Sequence, residues 1–395
     1  MSTFDRQLGV LLHPTSLASF EPIGTLGAGA RGALQWMGMA GVTAWQVLPL
    51  CEGGLGNSPY SSSTSALGNP WLIDLNDLAR DQLIDPDFVP SVPTGGAIDY
   101  ASLMTWKRPL LEHAARRLLA HSEYPLHGVF DAWRARRPWV VDAALFRALQ
   151  QATSSGAWWD WPAPLRDREP AALDEARGVH AEAIEVEIAL AFLFDHQWRT
   201  LAAQADDFGV RLIGDVPIYV SPNSVEVWAH RELFELGPDG RPLRVAGVPP
   251  DAFSATGQHW GNPLYDWEAM AADGYAWWIR RLKRALERTP TLRLDHFRGF
   301  VSYYAIDAEA ADATQGTWER GPGLALFDAL TEALGPQSFI AEDLGDIDET
   351  VHDFRRSIGC LATRVLQFGL AVDRDDDLHQ PEQVPEDAVV YTGTH

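Results

Sequence analysis

Two carboxylates close short apolar runs, each among neighbours that suit a different half of an acid–base pair. Asp295 sits in Arg293-Leu294-Asp295-His296-Phe297-Arg298-Gly299-Phe300, between two arginines and beside a histidine. An ionised, oriented carboxylate beside cations can attack an anomeric carbon. The competing reading is a strand-end aspartate paired to arginine for structure alone, and spacing does not separate the two. Glu342 sits in Phe339-Ile340-Ala341-Glu342-Asp343-Leu344-Gly345, after three apolar or small residues that favour partial burial. Burial raises a carboxyl pKa and suits a general acid. Its alternative is that Glu342 or Asp343 caps the helix that follows. Asp215, in Gly214-Asp215-Val216-Pro217-Ile218-Tyr219, ends a third run. It is placed to hold a hydroxyl or to orient an arginine such as Arg293, or else it is a turn-forming aspartate ahead of a proline.

Elements that would carry these groups are visible in the alternation of apolar runs and helical periodicity. Strand candidates are Gly9 to Leu12, Ala44 to Leu48, Val210 to Gly214, Leu292 to Asp295, Ser338 to Glu342, Arg364 to Phe368 and Ala388 to Thr392. Helical patterns at Ala30 to Gly41, Ile184 to Phe208, Asp266 to Arg288, Leu324 to Leu334 and Ile347 to Ile358 separate most of them, which implies parallel pairing. Between Asn76 and His196 the pattern is helical and irregular, with apolar residues at helical spacing from Ser102 to Ala120 and a cluster of Trp158, Trp159 and Trp161. The expected organisation is therefore barrel over residues 1–75, a helical inserted subdomain over 76–196, and barrel again over 197–395. His13, Asp215, Asp295, Glu342 and His395 fall at the C-terminal tips of strand candidates, where an α/β barrel places its catalytic groups. A doubly wound open sheet gives similar alternation, so periodicity alone does not choose between them.

The chain has 395 residues, 46% of them hydrophobic, which suffices for one large barrel or two ordinary domains. The net charge of −23 disfavours phosphate backbones and anionic lipid, so nucleic acid and membrane surfaces are excluded as partners. The two cysteines, Cys51 and Cys360, lie in no metal or redox spacing and fit a reducing compartment. The first residues show no basic segment followed by an apolar core, and no stretch approaches a membrane span of about 20 residues. The expectation is a cytoplasmic protein. No GxGxxG, P-loop, HExxH or Cys/His cluster occurs, so no metal, nucleotide or prosthetic group is implied. Sixteen tryptophans allow stacking on sugar faces, although core packing accounts for most of them.

Several further segments occur in one order along the chain. They are Gly9-Val10-Leu11-Leu12-His13-Pro14-Thr15-Ser16-Leu17, Trp45-Gln46-Val47-Leu48-Pro49-Leu50, Asn57-Ser58-Pro59-Tyr60 and Gly68-Asn69-Pro70. Beyond the Asp215 segment come Gly247-Val248-Pro249-Pro250-Asp251-Ala252-Phe253-Ser254, Gly257-Gln258 and Trp260-Gly261-Asn262-Pro263-Leu264-Tyr265. The Asp295 and Glu342 segments follow, then Val365-Leu366-Gln367-Phe368 and Thr392-Gly393-Thr394-His395. With these the chain resembles the amylomaltase family of 4-α-glucanotransferases, glycoside hydrolase family 77.

The resemblance implies an α/β fold, a (β/α)₈ TIM barrel with helical insertions. It implies transfer of α-1,4-glucan segments to the 4-hydroxyl of an acceptor sugar by a retaining double displacement. Donors would be α-1,4-glucans and maltooligosaccharides, and acceptors glucose or maltooligosaccharide. Asp295 would be the nucleophile and Glu342 the acid/base. Asp215, Arg293, His296 and His395 would bind the sugar at the cleaved bond, and Tyr60 would stack on glucan. The Gly247 to Ser254 loop, with Pro249, Asp251 and Phe253, would lie over the cleft.

The chain departs from the family pattern at Thr25, where an aspartate is usual. The pattern also runs on to Thr-His-Asp, a third catalytic carboxylate, whereas this sequence stops at His395. The eighth strand and its helices are expected beyond that point, leaving the barrel C-terminally incomplete. Two other functions stay open at this level: an α-glucan hydrolase of related chemistry, and a glucan-binding fragment without turnover.

Overall fold

A computed structural model describes residues 6–89, 97–153, 156–251, 254–345, 347–370 and 378–394. Five parallel strands form its central sheet in the order β1 (Gly9–Leu11), β2 (Ala44–Gln46), β3 (Arg211–Pro217), β6 (Thr291–Asp295) and β9 (Ser338–Ala341). The numbering leaves room for β4 (Arg244–Val248), β5 (Gln258–Pro263), β7 (Ser302–Asp307) and β8 (Thr317–Arg320), which lie elsewhere. A parallel pair, β10 (Ala362–Val365) and β11 (Ala388–Tyr391), continues the wall through a bridge between Ile340 and Leu361. The curl of this wall shows in one contact: Tyr391 on β11 donates its hydroxyl to Gln46 Oε1 on β2, at 2.6 Å.

Successive residues of a strand face opposite ways, and here the two faces have separate cores. Ala44, Ile213 and Ile340, with Leu361 and Val389 against them, pack as a small cluster inside the curl. Trp45, Leu212, Leu292 and Phe339, one residue out of phase, join the large core beneath the helices. The alternation puts Gln46, Asp215, Arg293, Glu342 and Tyr391 on the inner face, two residues above the apolar layer or in register with it.

Helices follow from the same periodicities. Helix Ala28–Ala40 buries Ala30, Leu34 and Met37 and stops at Gly41, whose φ of 74° lets its N–H turn back onto Met37 O. Helix Ala181–Asp207 is apolar on every side over its central stretch from Ile188 to Phe194 because helices Tyr100–Ala120 and Val140–Ala152 cover what the sheet does not. It runs unbroken through residue 196, so a boundary at 196/197 falls inside one element. The tryptophans at 158 and 161 are buried, and Trp161 packs edge-on against Trp228 in the core. At Thr25 the hydroxyl donates to buried Asp74, itself the cap of helix Leu75–Arg80, at 2.6 Å.

Three expectations are corrected. The strand at Arg364 to Phe368 is Ala362–Val365, because the ladder to Ala388–Tyr391 takes those residues and Leu366–Gly369 coils into a short helix. The helix at Asp266 to Arg288 is two helices, Trp267–Ala272 and Ala276–Leu286, parted by Gly274 and Tyr275 at φ 70° and 58°, a left-handed step that no right-handed helix carries. Between β3 and β9 an antiparallel sheet in the order β5-β4-β7-β8 is present where no strands were read. Gly247 and Val248 belong to its β4 and not to a loop; a Cβ on Gly247 would meet Gln258 O at 2.1 Å.

Candidate active site

The ladder between β6 and β9 pairs Leu294 with Ala341. Asp295 and Glu342 therefore leave the two strands side by side. Neighbouring strands lie about 4.8 Å apart, the scale a retaining carboxylate pair requires, about 5–5.5 Å. The next residue, His296, turns into the left-handed region at φ 50°. Few non-glycine residues take that conformation, and here it aims the His296 N–H at Glu342 Oε2, 2.7 Å away.

One guanidinium ties the strand tips together. Arg293 Nη1 lies 2.7 Å from Asp295 Oδ1 and 3.0 and 2.9 Å from the two oxygens of Asp215. Tyr60, on the turn Pro59–Ser61 after β2, donates its hydroxyl to Asp215 Oδ2 at 2.7 Å. Asp215 is therefore an inward residue within β3 and not a turn former. Burial raises its pKa to about 6 against the pull of Arg293. Arg293 is itself held above its ordinary value, because Asp215 and Asp295 outweigh its burial. Burial first, and then the charge of Asp295, push Glu342 up to about 8. At neutral pH Glu342 carries its proton, as a general acid must.

His296 is buried and its pKa falls to about 4 for that reason, so its ring is neutral at pH 7. Burial does the same to His13 at the tip of β1. The capping alternative for Glu342 and Asp343 does not hold, since helix Glu349–Ser357 is capped by Asp348. Asp343, one residue out of phase with Glu342, faces away from the cleft. It takes the N–H of Thr363 at 2.7 Å and Arg364 Nη1 at 3.2 Å, with Arg355 Nε at 3.8 Å.

The structure thus brings Tyr60, Asp215, Arg293, Asp295, His296 and Glu342 into one cluster. Pro249 and Asp251 are carried by the β4–β5 connection, where Asp251 accepts the N–H of Ser254 at 2.7 Å. Phe253 and His395 lie outside the described residues. Two neighbours were not singled out from sequence. Trp260 sets its ring edge-on to His296 with centroids 4.7 Å apart, and Tyr391 reaches Gln46 beneath Asp215 and Arg293. Trp260 sits in a segment already quoted for its resemblance; Tyr391 has no local signal, since only the curl of the wall brings it in.

A family model described as 4-alpha-glucanotransferase matches residues 12–395. The chain belongs to that family. The 4-alpha-glucanotransferase of Thermus thermophilus is 44% identical over 399 residues, covering 99% of this chain and 78% of that one. The chloroplastic/amyloplastic 4-alpha-glucanotransferase of Solanum tuberosum is 43% identical over 398 residues, covering 99% and 69%. Among solved structures, the amylomaltase of Streptococcus agalactiae in complex with acarbose superposes with a TM-score of 0.95 at 35% identity, covering 99% of this chain and 79% of that one. The fold is the α/β barrel of amylomaltases, and this member of the 4-alpha-glucanotransferase family is an enzyme of 4-α-glucan transfer. Among its described residues no helix is long and apolar enough to cross a membrane.

Proposed function

We propose that Asp295 and Glu342 carry the transfer by a retaining double displacement. Asp295 attacks the anomeric carbon of a bound α-1,4-glucan while Glu342 gives its proton to the departing glycosidic oxygen. The bond from the anomeric carbon to that oxygen breaks and a bond to Asp295 forms. Glu342, now ionised, takes the proton from the 4-hydroxyl of an acceptor, and that oxygen displaces Asp295. The second step restores the α-configuration. Donors are α-1,4-glucans and maltooligosaccharides, and the acceptor is glucose or a maltooligosaccharide.

The observation that carries this reading is the pairing of Asp295 with Glu342 at one strand end, the first against Arg293 and the second protonated at neutral pH. Arg293 positions Asp295 and Asp215 together, and Asp215 with Tyr60 presents acceptor oxygens for sugar hydroxyls. His296 serves through its N–H, which orients Glu342, and through a neutral ring beside Trp260. Pro249, Asp251, Phe253 and His395 are assigned to glucan contact by family resemblance. A cytoplasmic location is part of the proposal and rests on cysteine usage.

Proton NMR of the first products from maltotriose tests the stereochemistry. The glycosidic bonds formed in the first products should be α-linked, read from their anomeric protons, and β-linked first products would remove Asp295 from the nucleophile role. Glucose supplied as acceptor should be incorporated into longer glucans; release of reducing ends with no incorporation would make the enzyme a hydrolase.

A further inference from the structure

Behind β3, on the side away from the catalytic cleft, the barrel wall does not close on the helix that covers it. A cavity of about 100 Å³ remains there. Its walls are β3 at Gly214 and Val216, the residues Ser62, Ser65 and Ala66, and Glu226, Trp277 and Arg284. Arg281 and Arg288 also line it, but both are committed. Arg281 donates to the carbonyls of Pro217 and Ile218, and Arg288 to Asp195 and to Ala66 O. The void opens toward solvent past exposed Arg280 and half-buried His230.

Two polar groups in this wall have unspent capacity. Glu226 is 8% exposed; its Oε1 takes both the N–H and the hydroxyl of Ser65 at 2.7 Å. Its other oxygen, Oε2, is buried with no hydrogen-bond partner among the described residues. The Arg284 guanidinium stacks on Trp139 at 4.1 Å and has no hydrogen bond or ion pair among the described residues. Buried polar groups are nearly always paired, and a group left unpaired costs on the order of 1–3 kcal/mol, more when charged. A buried acceptor and a half-buried donor therefore line a space large enough to hold something that satisfies both. Burial lowers the Arg284 pKa to about 10, against the opposing pull of the Glu226 and Glu287 charges.

The lining decides what that occupant is. A cation is refused by the four arginines. An oxyanion would pair with Arg284 but would set a negative oxygen against Glu226 Oε2. An apolar ligand would leave both charged groups unsatisfied. A neutral polyol answers both: one hydroxyl donates to Glu226 Oε2, another accepts from Arg284, and its C–H surface lies on Trp277 and Val216. One water takes roughly 10–15 Å³ of such space, so the cavity has room for several waters or one pyranose ring. We infer that this cavity is a second, non-catalytic site for a monosaccharide-sized polyol, seated between Glu226 and Arg284. Its inner wall includes Tyr60 and Asp215, so an occupant lies against the back of the residues that face the cleft.

The inference stands on the cavity's own donors and acceptors and not on the catalytic roles, so it is tested by binding alone. Glucose is titrated calorimetrically into the full chain with the cleft saturated by acarbose. A saturable site near one per chain is expected. Glu226→Gln and Arg284→Ala should each weaken it at least tenfold, while both variants keep turnover of maltotriose. Arg284→Lys, which keeps the charge and one donor direction, should bind with intermediate affinity and serves if the alanine variant does not melt cooperatively. Inorganic phosphate is titrated as the second probe. The proposal is overturned by glucose binding that is unchanged in both variants, by no saturable glucose heat, or by phosphate competing with glucose in an Arg284-dependent way.

Discussion

Glu342→Gln separates the acid's chemistry from its cost to the fold. In the folded chain the Glu342 carboxyl titrates near about 8, against 4.5 for an unperturbed glutamate. Its folded pKa is raised, so its contribution to stability is whole below about pH 4.5 and is lost as pH climbs toward 8. In that window the unfolded chain ionises freely while the folded chain keeps its proton. Each pH unit in the window is worth about 1.4 kcal/mol. Glutamine does not titrate, and its amide oxygen keeps the acceptor for the His296 N–H. The variant should therefore gain stability over the parent by on the order of 4 kcal/mol between pH 5 and pH 8, read from denaturant midpoints at each pH. Its transfer rate should fall by roughly 10²–10⁴-fold, the usual worth of a positioned acid–base group. In the parent, kcat/KM for maltotriose should decline on its alkaline side around pH 8. A stability gap that stays flat from pH 5 to pH 8 would refute the burial argument, and near-parental turnover would refute the role.

Asp343→Asn should be costly although it lies beside the acid and not in the cleft. It strips the anion from buried Arg364 and leaves Arg355 with Asp387 alone, a loss of about 3–5 kcal/mol by thermal or denaturant melting. Because the charge of Asp343 helps to raise Glu342, the alkaline limb of the rate profile should also move to lower pH. Tyr60→Phe removes the 2.7 Å bond to Asp215 and should weaken donor binding by about 1.5–3 kcal/mol, seen as a raised KM. That bond lowers the Asp215 pKa, so the acidic limb near 6 should shift upward in the same variant. Gly68→Ala would place a Cβ 1.8 Å from the Phe194 ring and should lower stability by about 1–3 kcal/mol, with activity per folded molecule unchanged in kinetic assays.

The strand tips were legible because a parallel strand buried on both faces writes itself as a short apolar run ending in a polar residue. Thr291–Asp295 and Ser338–Ala341 do this, and Asp295 and Glu342 stand where the runs stop. The antiparallel sheet was not legible. Gln258–Pro263 carries a glycine and a proline, Thr317–Arg320 has one apolar side chain, and the ladder that joins the two strand pairs, β4 with β7, links segments far apart in the chain. At Ala362–Val365 the run Ala-Thr-Arg-Val is no more strand-like than the Leu-Gln-Phe that follows it. The ladder to Ala388–Tyr391 makes the choice.

Residue types and their local order determined on their own which groups had chemistry to offer: a carboxylate among arginines at 295, and a carboxyl after an apolar run at 342. They also determined the α/β alternation and, through a whole series of short segments, the family. Tertiary structure decided the relations among them. That Arg293 serves Asp215 and Asp295 at once follows from the register of β3 on β6, a choice between faces that a one-residue slip would invert. That Glu342 keeps a proton near pH 8 while Asp343 is locked into an arginine cluster follows from which side of β9 each occupies. Two adjacent acids look alike in a sequence. The pleat sends one into the barrel and the other under the helices, and the surroundings each meets there set its charge.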